Sequence, residues 1–158
     1  MKLALAIKRG FTLIELLVVI GILAILLAIT LIAINPARQF QQANDTKRSS
    51  DVNAILNAVG QYAADNRGSL PAGITAVAKP IAGDAAAPAT VANICAALVP
   101  QYIAALPVDP TTGTGSPITE AGCAGDYTTG YTIVTSATDN RVTVSAVGQI
   151  TNPITVTR

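Results

Sequence analysis

Residues 16–34 form a run of about 19 amino acids without one charged side chain, long enough to cross a bilayer as a helix. No other property of the chain restricts its fold so strongly. A domain built from the rest of a 158-residue chain is too small to wrap such a rod, so lipid or other protein must cover it. A carboxylate, Glu15, stands at the head of the run, and Lys8-Arg9-Gly10-Phe11-Thr12-Leu13-Ile14 leads into it. The chain as a whole is 51% hydrophobic and 12% charged. That is too apolar for a soluble domain and too low in charge for a disordered chain.

Three explanations compete for this segment. A cleaved secretory signal would have a shorter apolar core followed by a small-residue cleavage site. Here Asn35-Pro36-Ala37-Arg38 follows instead. A plain signal anchor explains the length, and the leading Lys2, Lys8 and Arg9 orient it through the positive-inside rule. It leaves Glu15 unexplained, since an acid within a membrane segment costs ~2.5–3.5 kcal/mol at the centre and less near the interface. A local role is available: Thr12-Leu13-Ile14-Glu15 fits the S/T-x-x-E capping box, and a helix N-terminus favours a carboxylate. The third explanation is a resemblance carried by the residues around Gly10, Phe11 and Glu15, given below.

The periodicity predicts one long helix over residues 11–66. Pro36 lacks an N–H and crowds the carbonyl of Ile32, which places a kink or break near residues 32–35. Arg38, Gln39, Gln41, Gln42, Asp45, Lys47 and Arg48 then form a polar stretch. Val52, Ile55, Leu56, Val59, Tyr62 and Ala63 follow at spacings of three and four, one apolar stripe. Ser49, Ser50 and Asp51 offer caps for a separate second helix, and Asn66-Arg67-Gly68 is a helix stop. Residues 67–130 read as a variable loop. It is Ala-, Gly- and Pro-rich over 67–89, carries a short helix over 90–99, and turns at Pro107 and Pro110. Residues 131–158 read as a three-stranded antiparallel meander: 131–136, a turn at 137–140, 141–146 with Val142, Val144 and Ala146 on one face, and 154–157. The expected fold class is α+β, with a long N-terminal helix whose amphipathic half packs on a small C-terminal antiparallel sheet.

Little here supports catalysis. The chain has no histidine, no G-x-S-x-G nucleophile motif and no phosphate-cradling glycine loop, so we expect no enzyme, no cofactor and no metal site. Asp109, Asp126 and Asp139 read as turn residues. Aromatics are 4% and no basic patch stands out, which argues against nucleic acid as a partner. Cys95 and Cys123 lie in the part expected outside the cytoplasm, which favours a disulfide between them over two buried thiols.

The stretch from Lys8 to Ile20, with Gly10, Phe11 and Glu15 matching one by one, resembles the leader of type IV pilins and type II secretion pseudopilins. The resemblance implies three parts: a leader over residues 1–10, a membrane-spanning or filament-core helix over 11–35, and a pilin globular domain over 36–158. It implies that a prepilin peptidase cleaves between Gly10 and Phe11 and methylates the new amine of Phe11. It implies that Glu15 then pairs with that amine on an adjacent copy. Removal of Lys2, Lys8 and Arg9 leaves seven of the ten basic side chains against nine acidic ones, a balance near −2. The implied partners are further copies of the chain, an assembly platform protein and its ATPase. The precursor is expected in the inner membrane as a single-pass protein, and the product in an extracellular pilus or a periplasmic pseudopilus. A membrane-anchored minor pilin acting as a binding module is the alternative that needs no polymer. Leu106-Pro107-Val108-Asp109-Pro110 is similar to a loop of pseudopilins and some pilins, although the Trp-Gly that often follows there is Thr111-Thr112 here. The family's helix proline commonly falls near the place of Ile32, whereas the first proline here is Pro36.

Overall fold

The computed structural model describes residues 10–158, so every expectation about residues 1–9, including most of the leader, falls outside it. The chain divides into two compact units, one ending at Phe40 and the other running Gln41–Arg158.

In the first unit, helix α1 (Leu13–Ile34) is built almost wholly from Leu, Ile, Val and Ala, and none of its residues is buried. It ends where Asn35 turns left-handed at φ 45°, a conformation asparagine tolerates better than branched residues. Helix α2 (Pro36–Asp65) starts at the next residue. Proline suits a first helical position because its missing N–H would have no partner there. Asn35 also caps this start, accepting the N–H of Arg38 on its carbonyl at 3.1 Å and on Oδ1 at 3.4 Å. The interruption expected near residues 32–35 is therefore a single left-handed residue between two regular helices. No new helix begins at Ser49–Asp51, because α2 runs through these positions without a break.

In the second unit, Val52, Ile55, Leu56 and Val59 of α2 are all buried, as their spacing predicted. They share one hydrophobic core with Tyr131, Ile133, Val142, Val144 and Ala146. The sheet has four antiparallel strands in sequential order: β1 (Lys79–Gly83), β2 (Tyr127–Thr135), β3 (Val142–Ala146) and β4 (Ile154–Thr157). Along β2, Tyr127, Thr129, Tyr131 and Ile133 alternate inward, and Ile133 stands opposite Val144. Gly68, at φ 86°, closes α2 by donating its N–H to the carbonyl of Ala63 at 2.7 Å.

The sheet departs from the expected three-stranded meander at its N-terminal side. β1 lies inside the segment read as loop, and β2 begins at Tyr127, four residues earlier than the meander was expected to start. Lys-Pro-Ile-Ala-Gly has poor strand propensity, and proline argues against a central strand. Its pairing with β2 and the burial of Ile81 hold it in place. It is an edge strand, where proline is tolerated. The helix expected over residues 90–99 is only the four residues of α3 (Cys95–Leu98), with a 3-10 helix at Glu120–Ala124 farther on. A disulfide joins Cys95 of α3 to Cys123 of that 3-10 helix, with a Cα–Cα distance of 5.3 Å.

Candidate functional site

Two features of the described chain need a chemical explanation. The first is the head of α1. Gly10 and Phe11 precede it as irregular backbone, and Phe11 is 83% exposed. Thr12 is the N-cap. Its N–H and its Oγ1 both donate to Glu15 Oε2, at 2.9 and 2.8 Å, and its Oγ1 accepts the N–H of Glu15 at 3.2 Å. This is the reciprocal capping box the sequence pattern predicted. Glu15 thus has a local role at the helix N-terminus, where the backbone dipole favours its charge. Its other oxygen, Oε1, accepts no hydrogen bond among the described residues.

Behind this cap, α1 is long and apolar enough to cross a membrane. Its apolar residues point to every side, with no polar stripe to face water. Leu13 and Ile32 are more than four-fifths exposed. A helix in this state is not a finished surface in water. It requires lipid around it, or other helices.

The second feature is a buried ionic cluster in the Gln41–Arg158 unit. Arg48 is 1% exposed. Its Nε and Nη2 donate to the two carboxylate oxygens of Asp109, at 2.6 and 3.1 Å, and its Nη1 donates to Asp45 Oδ1 at 2.9 Å. Nη2 also reaches Thr111 Oγ1 at 2.6 Å. Asp109 accepts the backbone N–H groups of Thr111 and Thr112, and Asp45 accepts those of Gln149, Ile150 and Thr151. Close by, Lys47 bridges Asp51 and the carbonyl of Val108, and Tyr131 donates to Asp51 at 2.8 Å. Four residues of α2 thereby bind two loops and a strand. No buried side-chain N or O atom among the described residues lacks a partner.

The electrostatics follow from these bonds. Burial penalises the Asp45 and Asp109 charges, but the N–H donors and Arg48 outweigh it and hold both carboxyls well below the usual range. The hydrogen bond to Asp109, opposed by burial and aided by Asp45, raises Arg48 above its ordinary value. Burial, and then the Asp51 carboxylate, push Tyr131 upward, and burial pushes the Tyr127 hydroxyl up to about 12.

Close approach makes the cluster possible. A Cβ on Gly130 would lie 2.5 Å from Thr112 Oγ1 and 2.7 Å from Asp109 Cβ, so only glycine lets that loop lie against β2. Gly130 also sits at φ 81°, which side-chain-bearing residues rarely adopt. Asp109 is the turn residue the sequence suggested, its Oδ1 accepting the N–H groups of Thr111 and Thr112, and it is in addition 3% exposed and the main partner of Arg48. Asp45 and Arg48, read as part of a wet polar stretch, are buried as well. A signal for this was present. Positions 45, 48, 52, 55 and 59 continue the spacing of the apolar stripe, so both charged residues lie on the core-facing side of α2. Among the described residues, no group of three or more His, Cys, Asp or Glu is placed to hold a metal ion.

Residues 5–31 match the family described as the prokaryotic N-terminal methylation motif, the prepilin-type leader of type IV pilins and pseudopilins. The matched span contains Gly10, Phe11, the capping box and most of α1. Proteins of this kind are structural subunits. No curated protein and no solved structure matches the chain.

Proposed function

We propose that this chain, which carries a prepilin-type leader ahead of an uncovered apolar helix, is the structural subunit of a type IV pilus. A prepilin peptidase cleaves between Gly10 and Phe11 and methylates the new α-amine. The precursor waits in the inner membrane with α1 in lipid and residues 36–158 outside the cytoplasm. An assembly ATPase and a platform protein draw it from the bilayer into a helical polymer of identical copies, whose core is made of residues 11–35. Further copies then replace lipid around α1.

The observation that carries this reading is the full exposure of α1 on all its faces beneath a capped carboxylate. Polymer formation covers the apolar surface. Glu15 keeps Oε2 on its own helix and has Oε1 available for the Phe11 amine of the next copy. Such an ion pair in apolar surroundings works mainly as a register device, because desolvation offsets much of its attraction. Mass spectrometry of the native N-terminus tests the reading: the expected chain begins at methylated Phe11. A native chain that begins at Met1 and stays monomeric would overturn it.

The second reading is the major pseudopilin of a type II secretion system. The resemblance of the 106–110 loop to one in pseudopilins and some pilins favours it, and Thr111-Thr112 in place of the Trp-Gly that often follows there weighs against it. Immunogold labelling of intact cells separates the two: filaments outside the cell support the pilus, and label confined to the periplasm supports the pseudopilus.

A further inference from the structure

We propose that Arg48 joins two surface loops, residues 108–112 and the turn at residues 148–152, into one cooperative unit that opens as a whole or not at all. The loops are not bonded to each other through any hydrogen bond of the cluster. Each is tied to a carboxylate, Asp109 for the first and Asp45 for the second, and both carboxylates are tied to the one guanidinium between them.

The cost of a half-open state makes the coupling. If the first loop leaves, Asp109 goes with it, and Arg48 loses two of its four hydrogen bonds while still enclosed. The bond to Thr111 is lost in the same step, because Thr111 belongs to that loop. A buried guanidinium with a single remaining partner is strongly disfavoured, so it moves toward water. Asp45 then stays behind as a buried carboxylate without a counter-charge, held only by the three N–H groups of the turn. Opening the turn first runs the same sequence in reverse. Gly148 keeps the turn tight enough for this arrangement, since a Cβ there would meet the carbonyl oxygen of Thr151 at 1.8 Å. The turn carries Ile150 at 45% exposure, and Val147 beside it is 70% exposed. Whatever grips these two side chains therefore also restrains residues 108–112, because coupling is reciprocal.

Amide hydrogen exchange of the full chain in detergent micelles tests this, with Arg48→Met as the variant. Arg48 makes no hydrogen bond to residues 149–151. The expected result is exchange at least about tenfold faster at Gln149, Ile150 and Thr151 as well as at Thr111 and Thr112, with the core amides of Ile133 and Val144 unchanged. Acceleration confined to Thr111 and Thr112 would overturn the proposal, and so would equal acceleration at every amide. Should the variant fail to fold, the wild-type chain decides in rising denaturant. The two loops are expected to converge on one opening free energy below that of the core, and two separate values would reject the coupling. Filament formation enters none of these readouts, so this inference stands or falls apart from the pilus reading.

Discussion

At the scale of single residues, the chemistry of this protein lies in where it tolerates charge. Glu15 is exposed at a helix head, while Asp45, Arg48 and Asp109 are enclosed. The enclosed acids make a pH prediction with a definite sign. Their folded values are depressed, so the stability they contribute is present above the unfolded aspartate value near 3.9 and is lost as pH falls through the folded values. For these groups the melting temperature should stay level from neutral pH to about 5, then fall steadily below about 4. Asp109→Asn should be less stable at neutral pH and should show a shallower decline in acid. Thermal melts across that range provide the check, and parallel acid slopes in the two proteins would contradict the assignment.

At the scale of elements, one helix does two jobs. The N-terminal part of α2 within the Gln41–Arg158 unit grips loops through Asp45, Lys47, Arg48 and Asp51, and the later part supplies the apolar stripe. The long connection between α2 and β2 needs such help, because its own elements are short. The disulfide is the other support, closing a loop across a separation of 28 residues. In the chain-entropy picture a bridge of this span contributes roughly 3–4 kcal/mol, and the double variant Cys95→Ala with Cys123→Ala should lose about that much. Denaturant unfolding measures it. A loss under about 1 kcal/mol would mean that the packing of Leu98, Leu106 and Ile118 holds the connection without the bridge.

At the scale of the whole molecule, the two units have opposite solutions to the same hydrophobic problem. The Gln41–Arg158 unit buries its apolar residues in its own core, while α1 leaves its entire surface to its surroundings. On the proposed function, Glu15→Ala should still be cleaved after Gly10 and should still anchor in the membrane, yet fail to enter filaments beside wild-type copies. The folded stability of the rest of the chain should not change. Co-expression with a tagged wild-type copy, followed by shearing and immunoblotting, reads the outcome. Normal incorporation would reduce Glu15 to the capping role it has in its own helix, worth about 1 kcal/mol to that helix.

What the sequence determined by itself are the features set by neighbours along the chain. The apolar run, the Thr12–Glu15 cap, the interruption before Pro36 and the buried stripe from Val52 to Val59 depend on spacings within a turn or two of helix. β3 and β4 were legible for the same reason, since their alternation is local. Only the tertiary structure decided that Lys79–Gly83 is a strand, because its weak propensity is overridden by a partner strand more than forty residues away. It also decided that Asp109 is buried and which partners Asp45 and Arg48 meet, although the spacing along α2 already put those two on its core-facing side. A charged residue reads as solvated until its counter-charge is known, and Asp109 lies 61 residues from Arg48. Contacts of that range leave no period in the sequence.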